Sequence, residues 1–273
     1  MKRFVLPFFL CAFTAVQAQE HRLEKLWQTD SVIAVPESVL PDKKDNLLFV
    51  SLIDGPGWEA DGKGGVGKLS PDGKNYEEQW ITGLHAPKGM ARKGNRLYVA
   101  DITEVVVVDI KKGVIEKRIP VDSARALNDV TIDRKGIVYV SDSRTGRIWK
   151  IKKDKPSLYL ENMTGVNGLK SVGKDLIIAS GKNFIKADRR KNITNIAELP
   201  QGGDGIEPVG NGDYLVSSWP GYLFYVSANG KVETLLETYA QKINTADIGY
   251  DAEKKIVYVP TFNGKTVVAY RLH

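Results

Sequence analysis

The sequence predicts an all-β protein whose strands form a six-bladed β-propeller, and three observations support this fold class. Short aromatic and β-branched runs recur about every 40 residues, a spacing typical of propeller blades. Helical periodicity is nearly absent, the best exception being the stretch 233–242. One further alternating strand, at 23–35, precedes the first full repeat, while the chain ends on the run 266–270. We expect this N-terminal strand to complete the last blade and close the ring non-covalently.

The repeated run is the element from which each blade is predicted. Turns rich in Gly, Asp, Asn or Lys precede the runs, and most runs are followed by a second alternating segment such as 147–151. This order predicts strands joined by hairpin turns, four short strands to a blade. The six runs occupy 47–51, 97–101, 138–142, 176–180, 214–218 and 256–260.

The first 18 residues are predicted to be a cleavable signal peptide. Lys2 and Arg3 precede an apolar run at 4–16, and a cleavage pattern ends at Ala18. The only cysteine, Cys11, lies inside this segment, so the mature chain is expected to fold without disulfides. We therefore expect one propeller domain over 19–273, located in the periplasm or outside the cell.

Charge and hydropathy argue against several classes of partner. The chain has a net charge of +6, which becomes about +4 without Lys2 and Arg3, and its basic and acidic residues are interspersed. This pattern does not form the basic face that nucleic acids require, and no apolar run is long enough for membrane insertion. The glycine-rich segment 62–68 resembles a phosphate-binding loop, but Leu69 replaces the expected Ser or Thr and a strand follows. Nucleotide binding is not expected.

Equivalent positions of the repeats point to a polar cluster at the channel mouth. Counting 14 residues back from the ends of four runs and from Thr261, which follows the sixth run, and 13 back from Ser180, reaches residues that begin the innermost strands. Five of the six carry oxygen in their side chains. These positions are Glu37, Pro87, Asn128, Asn167, Asp204 and Asp247.

Carboxylates and amides that converge without His or Cys suit a hard divalent cation. Ca²⁺ is the expected ion, with Zn²⁺, Mn²⁺ and Mg²⁺ as alternatives. A channel that is only hydrogen-bonded, without metal, is the competing interpretation of the same residues.

At these residues the chain resembles the senescence-marker-protein, gluconolactonase and luciferin-regenerating-enzyme family of six-bladed propellers. Glu37 is similar to the family's metal-binding glutamate, Asn167-Gly168 to its Asn-Gly ligand motif, and Asp204-Gly205 to its Asp-Gly motif. Asn128-Asp129 resembles the Asn-Asp-Gly motif that contacts substrate, although Val130 replaces the glycine. The resemblance covers nearly the whole mature chain.

The resemblance implies a metal-dependent hydrolase of a small polar molecule such as a sugar lactone. Glu37, Asn167 and Asp204 would hold the metal, Asp204 would also be the general base, and Asn128 would contact substrate. The family's hydrolases often have an arginine where this chain has Ala126. Asp247 has no role in this assignment.

Two other functions remain open at this stage. One is a non-catalytic propeller that binds a ligand or a protein partner, with a structural cation in its channel. The other is a synthase- or isomerase-like propeller that uses Glu37 without metal. A glycine-rich insertion at 54–65 carries Trp58 and could cover the mouth, and Trp219 could offer a stacking face near Asp204.

Overall fold

The computed structural model describes residues 20–273, which form six antiparallel sheets of four strands each. The six-bladed propeller predicted from the repeats is therefore confirmed. The predicted signal peptide lies outside the described residues. Within the described part of the chain, no helix is long and apolar enough to cross a membrane.

Each blade follows the chain from the channel outward, with its innermost strand first. Blade 1 contains β2 (Pro36–Asp42), β3 (Leu47–Leu52), β4 (Gly64–Leu69) and β5 (Tyr76–Leu84). Blade 2 contains β6 (Pro87–Lys93), β7 (Arg96–Asp101), β8 (Glu104–Asp109) and β9 (Val114–Pro120). Blade 3 contains β10 (Leu127–Ile132), β11 (Val138–Asp142), β12 (Arg147–Lys152) and β13 (Lys155–Leu160). The segment that resembles a phosphate-binding loop thus overlaps strand β4.

The second half of the ring repeats this pattern. Blade 4 contains β14 (Val166–Val172), β15 (Asp175–Ser180), β16 (Asn183–Ala187) and β17 (Ile193–Glu198). Blade 5 contains β18 (Ile206–Gly210), β19 (Asp213–Ser218), β20 (Tyr222–Val226) and β21 (Val232–Glu237). Blade 6 contains β22 (Gly249–Asp251), β23 (Ile256–Pro260), β24 (Val267–Leu272) and, as its outermost strand, β1 (Leu23–Gln28). A short 3₁₀ helix, Phe262–Gly264, follows β23.

The ring is closed at both edges of blade 6. On the outside, β1 pairs antiparallel with β24, as predicted from the sequence. On the inside, the backbone of Asp247 pairs with β2: its N–H donates to the Glu37 carbonyl (2.9 Å) and its carbonyl accepts from Val39 N–H (3.1 Å). Closure therefore ties the first innermost strand to the last, close to the predicted site.

In three blades a serine of the second strand accepts a backbone N–H at the start of the innermost strand, and in blades 1 and 3 this N–H lies in a β-bulge. The register shifts between Leu127 and Val130 in blade 3, and the freed N–H of Asp129 donates to Ser141 Oγ at 2.9 Å. Ser51 and Ser217 accept the equivalent N–H groups of blades 1 and 5. A bulge redirects the side chains around it, so these serines support the inward-facing residues.

We predict that Ser141→Ala destabilises the protein without changing its fold. The buried N–H of Asp129 would lose its acceptor, which costs about 1–3 kcal/mol and lowers the melting temperature by about 2–4 °C per kcal/mol for a chain of this size. Thermal unfolding followed by circular dichroism measures the change. Ser157→Ala, at an exposed serine, is the control; an equal loss of stability in both variants would contradict the account.

Candidate active site at the channel mouth

The sheet registers place five polar side chains and one alanine at the same level of the innermost strands. This level, called the mouth level here, lies one residue before the level of Ser38 and Asp129. It contains Glu37, Lys88, Asn128, Asn167, Asp204 and Ala246. The four residues predicted as metal or substrate contacts are therefore equivalent, as expected.

Two of the six predicted equivalences are wrong by one residue. In blade 2 the side chain at the mouth level belongs to Lys88, not Pro87. In blade 6 it belongs to Ala246, and Asp247 lies one level deeper, beside Ser38. The sequence count missed Lys88 altogether.

The error arises from hairpin length. Blades 2 and 4 connect their first two strands through two-residue turns, Gly94-Asn95 and Gly173-Lys174, whereas blade 3 uses the longer turn 133–137. Blade 5 also has a two-residue turn, but a register shift between Pro208 and Gly210 adds the missing residue. In blades 2 and 4 the mouth level therefore lies 13 residues before the end of the second strand. The count used 13 for blade 4 and reached Asn167, but it used 14 for blade 2 and reached Pro87 instead of Lys88. Because glycine and asparagine favour tight hairpins, Gly94-Asn95 was the signal that could have identified Lys88.

Asn167 and Asp204 are in direct contact. Asn167 Nδ2 donates to Asp204 Oδ1 at 2.7 Å. Two oxygens of this level, Glu37 Oε2 and Asn167 Oδ1, are buried and have no hydrogen-bond partner. A buried acceptor left unpaired costs stability. These two oxygens therefore indicate a site where a bound ligand or ion would supply the missing partner.

Gly168 explains how the two residues come so close. A Cβ atom at Gly168 would lie 1.8 Å from the Asp204 carbonyl oxygen, so a side chain there is excluded. A Cβ at Gly205 would similarly lie 2.5 Å from Asp247 Oδ1. The glycines of the Asn-Gly and Asp-Gly motifs therefore allow neighbouring innermost strands to approach.

Lys88 adds a positive charge to this group. It is only 3% exposed, and its charge attracts those of Glu37 and Asp204. Burial lowers the pKa of Lys88, and the carboxylates of Glu37, Asp204 and Asp101 oppose that effect. Burial also raises the pKa of Glu37 well above its usual range, against the effect of Lys88.

The pKa of Asp204 is raised to about 7, first by burial and then by the charge of Asp247. Lys88 and the hydrogen bond from Asn167 act in the opposite direction. Burial also raises the pKa of Asp247 to about 7, although its Oδ2 accepts a hydrogen bond from Ser38 Oγ at 2.5 Å. The channel thus holds two carboxyl groups poised to change charge near neutral pH.

The deeper level of the channel is more fully paired. Asp129 accepts the N–H groups of Val130 (2.6 Å) and Leu169 (2.5 Å), and Lys170 Nζ lies 2.9 Å from Glu207 Oε1. Burial raises the pKa of Asp129 well above its usual range. These contacts tie blades 3, 4 and 5 together below the mouth.

Asn128 shares the mouth level and is oriented by its own blade, where its Nδ2 donates to Ser143 Oγ at 3.2 Å. Ala126 is fully buried, while the neighbouring Arg125 is exposed. An arginine at position 126 would therefore be buried, whereas the arginine of this chain, at position 125, faces solvent.

The insertion of blade 1 covers part of the mouth. The ring centroid of Trp58 lies 4.2 Å from Lys88 Nζ, which agrees with the expectation for the 54–65 segment. Trp219 is 43% exposed and packs edge-on against Phe262, with ring centroids 5.5 Å apart. Trp58 is therefore close to the mouth, and Trp219 is accessible to solvent.

The residues at the mouth level fit a divalent cation. No three His, Cys, Asp or Glu side chains in the described range 20–273 form a metal-binding group by themselves. Glu37, Asn167 and Asp204 provide a set of carboxylate and amide oxygens, with two unpaired oxygens among them. Oxygen donors of this kind are typical of Ca²⁺ sites.

We predict that the metal-free protein loses stability as pH rises from about 4 to about 8. Because the folded-state pKa values of Asp204 and Asp247 are raised to about 7, the fold holds protons that the unfolded chain releases near pH 4. The melting temperature of chelator-treated protein should fall between pH 5 and pH 8. Added Ca²⁺ should restore it more strongly at pH 8.

A variant in which both Asp204 and Asp247 are replaced by Asn is the control for this prediction. It keeps the other titratable groups and should show a flatter dependence on pH. A wild-type melting temperature that rises over this interval, or the same slope in the double variant, would contradict the assignment.

Comparisons with known proteins support the fold. No family model matches the sequence, and no curated protein matches it either. A gluconolactonase structure from Xanthomonas campestris aligns with 95% of this chain and 93% of its own, with a TM-score of 0.71 and 15% identity. A virginiamycin B lyase from Staphylococcus aureus, solved with quinupristin, aligns with 92% of this chain and 99% of its own, with a TM-score of 0.66 and 12% identity. The chain is thus a six-bladed β-propeller whose structural neighbours include gluconolactonases and streptogramin B lyases, in keeping with the family resemblance of its motifs.

Proposed function

We propose that this protein is a metal-dependent hydrolase of a small lactone, with its active site at the mouth level. The observation that carries the proposal is the pair of unpaired buried oxygens, Glu37 Oε2 and Asn167 Oδ1, beside a carboxyl group with a pKa of about 7. The gluconolactonase among the structural neighbours supports this substrate class.

Glu37, Asn167 and Asp204 would hold the cation through oxygen atoms, and Ca²⁺ is the ion that this donor set favours. When bound, such a cation polarises the carbonyl group of the substrate and neutralises part of the negative charge of the two carboxylates. The amide of Asn167 has two functions in this arrangement, because its nitrogen already orients Asp204.

Asp204 would act as general base. In the metal-free protein its pKa is raised to about 7, and a cation held beside it would lower that pKa. At neutral pH the group would then be an ionised carboxylate that can accept a proton. Asp204 would take a proton from the water that attacks the lactone carbonyl. The new bond joins the water oxygen to that carbon, the ring C–O bond breaks, and the proton passes to the alkoxide, which gives a hydroxy acid.

Asn128 would orient the substrate. Its amide is held by Ser143 and stands at the same level as Asp204 on a different blade. A polar group fixed in this way can hydrogen-bond a substrate hydroxyl with little loss of side-chain freedom. The lactone would therefore lie between blades 3 and 5.

The test is a panel of aldonolactones and simple lactones, assayed by acid release with purified protein, with and without chelator. We expect hydrolysis that is lost on chelation and restored by Ca²⁺, together with one bound metal per chain. Bound metal without turnover of any lactone would instead support a non-catalytic binding propeller. Turnover that survives complete removal of metal would contradict the metal-dependent mechanism.

A further inference from the structure

Two cationic side chains at the mouth meet the same tryptophan of the covering loop. Trp58 lies in the connection 53–63 between β3 and β4 of blade 1. Its ring centroid is 4.2 Å from Lys88 Nζ of blade 2 and 5.5 Å from the guanidinium carbon of Arg144 of blade 3. The loop therefore reaches over two further blades, and its indole contacts one cation from each of them.

Lys88 lacks the partner that a buried ammonium group requires. Its residue is 3% exposed, yet within the range 20–273 its ammonium forms no ion pair within 4 Å and no side-chain hydrogen bond. Lysine has three donors to satisfy, and its contact with the Trp58 ring replaces only part of the hydration lost on burial. The ammonium is thus held near the mouth with its donors available.

Arg144 is in a similar position at the rim. It is exposed, and among the described residues its contact with Trp58 is not accompanied by an ion pair or a side-chain hydrogen bond. It follows Ser143, which orients Asn128. A guanidinium group at this place can bind a carboxylate or phosphate through two parallel hydrogen bonds.

The charges at the mouth leave room for an anion. Among the charged side chains at the mouth, Glu37 and Asp204 balance Lys88 and Arg144 when all four are ionised. Asp101 also attracts Lys88, and Asp247 acts on Asp204 from one level deeper. A divalent cation bound by the carboxylates of Glu37 and Asp204 would neutralise the negative charge that stabilises Lys88. The four side chains together with the cation would then have an excess of two positive charges. An anionic group on the ligand would compensate for that excess.

We propose that the lactone taken by this site carries an acidic substituent, a carboxylate or a phosphate, which Lys88 and Arg144 bind beneath Trp58. This inference rests on the proposed function, because it names the class of lactone. The ammonium supplies a point charge close to the mouth level, the guanidinium supplies paired donors at the rim, and the indole covers the bound group. A neutral lactone would leave both cations without a counter-charge.

The experiment measures binding of ring-opened products to Ca²⁺-loaded protein by calorimetry. The ligands are D-gluconate, D-glucarate, which adds a second carboxylate, and 6-phosphogluconate, which adds a phosphate. We expect glucarate or 6-phosphogluconate to bind at least about tenfold more tightly than gluconate, the size of effect that one additional charged contact commonly gives. Whichever of the two binds more tightly identifies the acidic group.

Variants of the two cations connect the preference to these residues. Lys88→Met and Arg144→Gln should each lower the preference by about tenfold or more, while Lys88→Arg should keep part of it. Two other cations that lie over tryptophans other than Trp58 supply matched controls: Lys68→Met (over Trp80) and Arg147→Gln (over Trp149) should leave it unchanged. Because Arg144 is exposed, its variant remains informative even if Lys88→Met folds poorly.

Equal binding of the three ligands by the wild type, or a preference that persists in both Lys88→Met and Arg144→Gln, would overturn the inference. Lactone hydrolysis without such a preference would overturn it while leaving the proposed function intact. A preference that depends on Lys88, in a protein that hydrolyses no lactone, would support the anion site and contradict the hydrolase.

Discussion

Asp204→Asn is expected to abolish lactone hydrolysis while leaving the fold intact. The amide cannot accept a proton from water, and a general base typically contributes about 10²- to 10⁴-fold to the rate; the change also removes one of the two charged ligands of the proposed cation, which lowers the rate further. The asparagine has nearly the same shape and can still accept the hydrogen bond that Asn167 donates to this position. The measurement is kcat/KM over the range pH 5 to 9, for the lactone that the wild type hydrolyses fastest.

Asp247→Asn is the matched control, because Asp247 is a buried channel carboxyl with a similar pKa, one level deeper. This variant should retain hydrolysis. Since the charge of Asp247 raises the pKa of Asp204, its removal should move the acidic limb of the pH profile to lower pH. If Asp247→Asn is inactive and Asp204→Asn is active, Asp204 is not the base.

Glu37→Gln is expected to release the metal, and with it the activity. The substitution keeps the shape of the side chain but removes one of the two carboxylate charges at the mouth level. Outer-shell contacts of metal sites typically contribute about 10- to 100-fold to affinity, so loss of a charged ligand should weaken Ca²⁺ binding by about 100-fold or more. Metal content by elemental analysis and calorimetric titration of the metal-free protein both measure this effect.

Asn128→Ala provides the comparison for Glu37→Gln. Asn128 stands at the same level but is assigned to substrate, so its removal should raise KM and leave the affinity for Ca²⁺ unchanged. Similar losses of metal in both variants would mean that the channel holds the ion through a different set of residues. Retention of metal by Glu37→Gln would have the same consequence.

The fold could be predicted from the sequence because its signals are local and repeated. The six runs each encode one strand of a blade, and the extra strand at 23–35 could pair only where a blade lacked its fourth strand. The pairing of β1 with β24 followed from this count. The structure therefore added register and closure contacts to an architecture already evident in the repeats.

The site was predicted only as far as the blades are equivalent. Counting found Glu37, Asn128, Asn167 and Asp204. In blade 1 the count began at Ser51, one residue before the equivalent strand end Leu52, and its length of 14 was also one residue short, so the two errors cancelled at Glu37. Lys88 was missed because a two-residue hairpin shortens blade 2. A count of positions cannot detect such a change unless each turn is assigned its own length.

Contacts between blades could not be obtained from the sequence at all. The hydrogen bond between Asn167 and Asp204 depends on the close approach that Gly168 permits, and the position of Trp58 over Lys88 depends on the path of an 11-residue connection. Both are properties of packing in three dimensions. The first lowers the pKa of the proposed base against the effect of burial, and the second places an indole against a buried cation.

The most direct test of the account is an anomalous-diffraction measurement on crystals of the protein grown with Mn²⁺ as a substitute for Ca²⁺. We predict one strong peak at the mouth level, within coordination distance of side-chain oxygens of Glu37, Asn167 and Asp204. A channel without a peak, or a peak bound by other residues, would contradict the central claim that these three side chains hold a divalent cation.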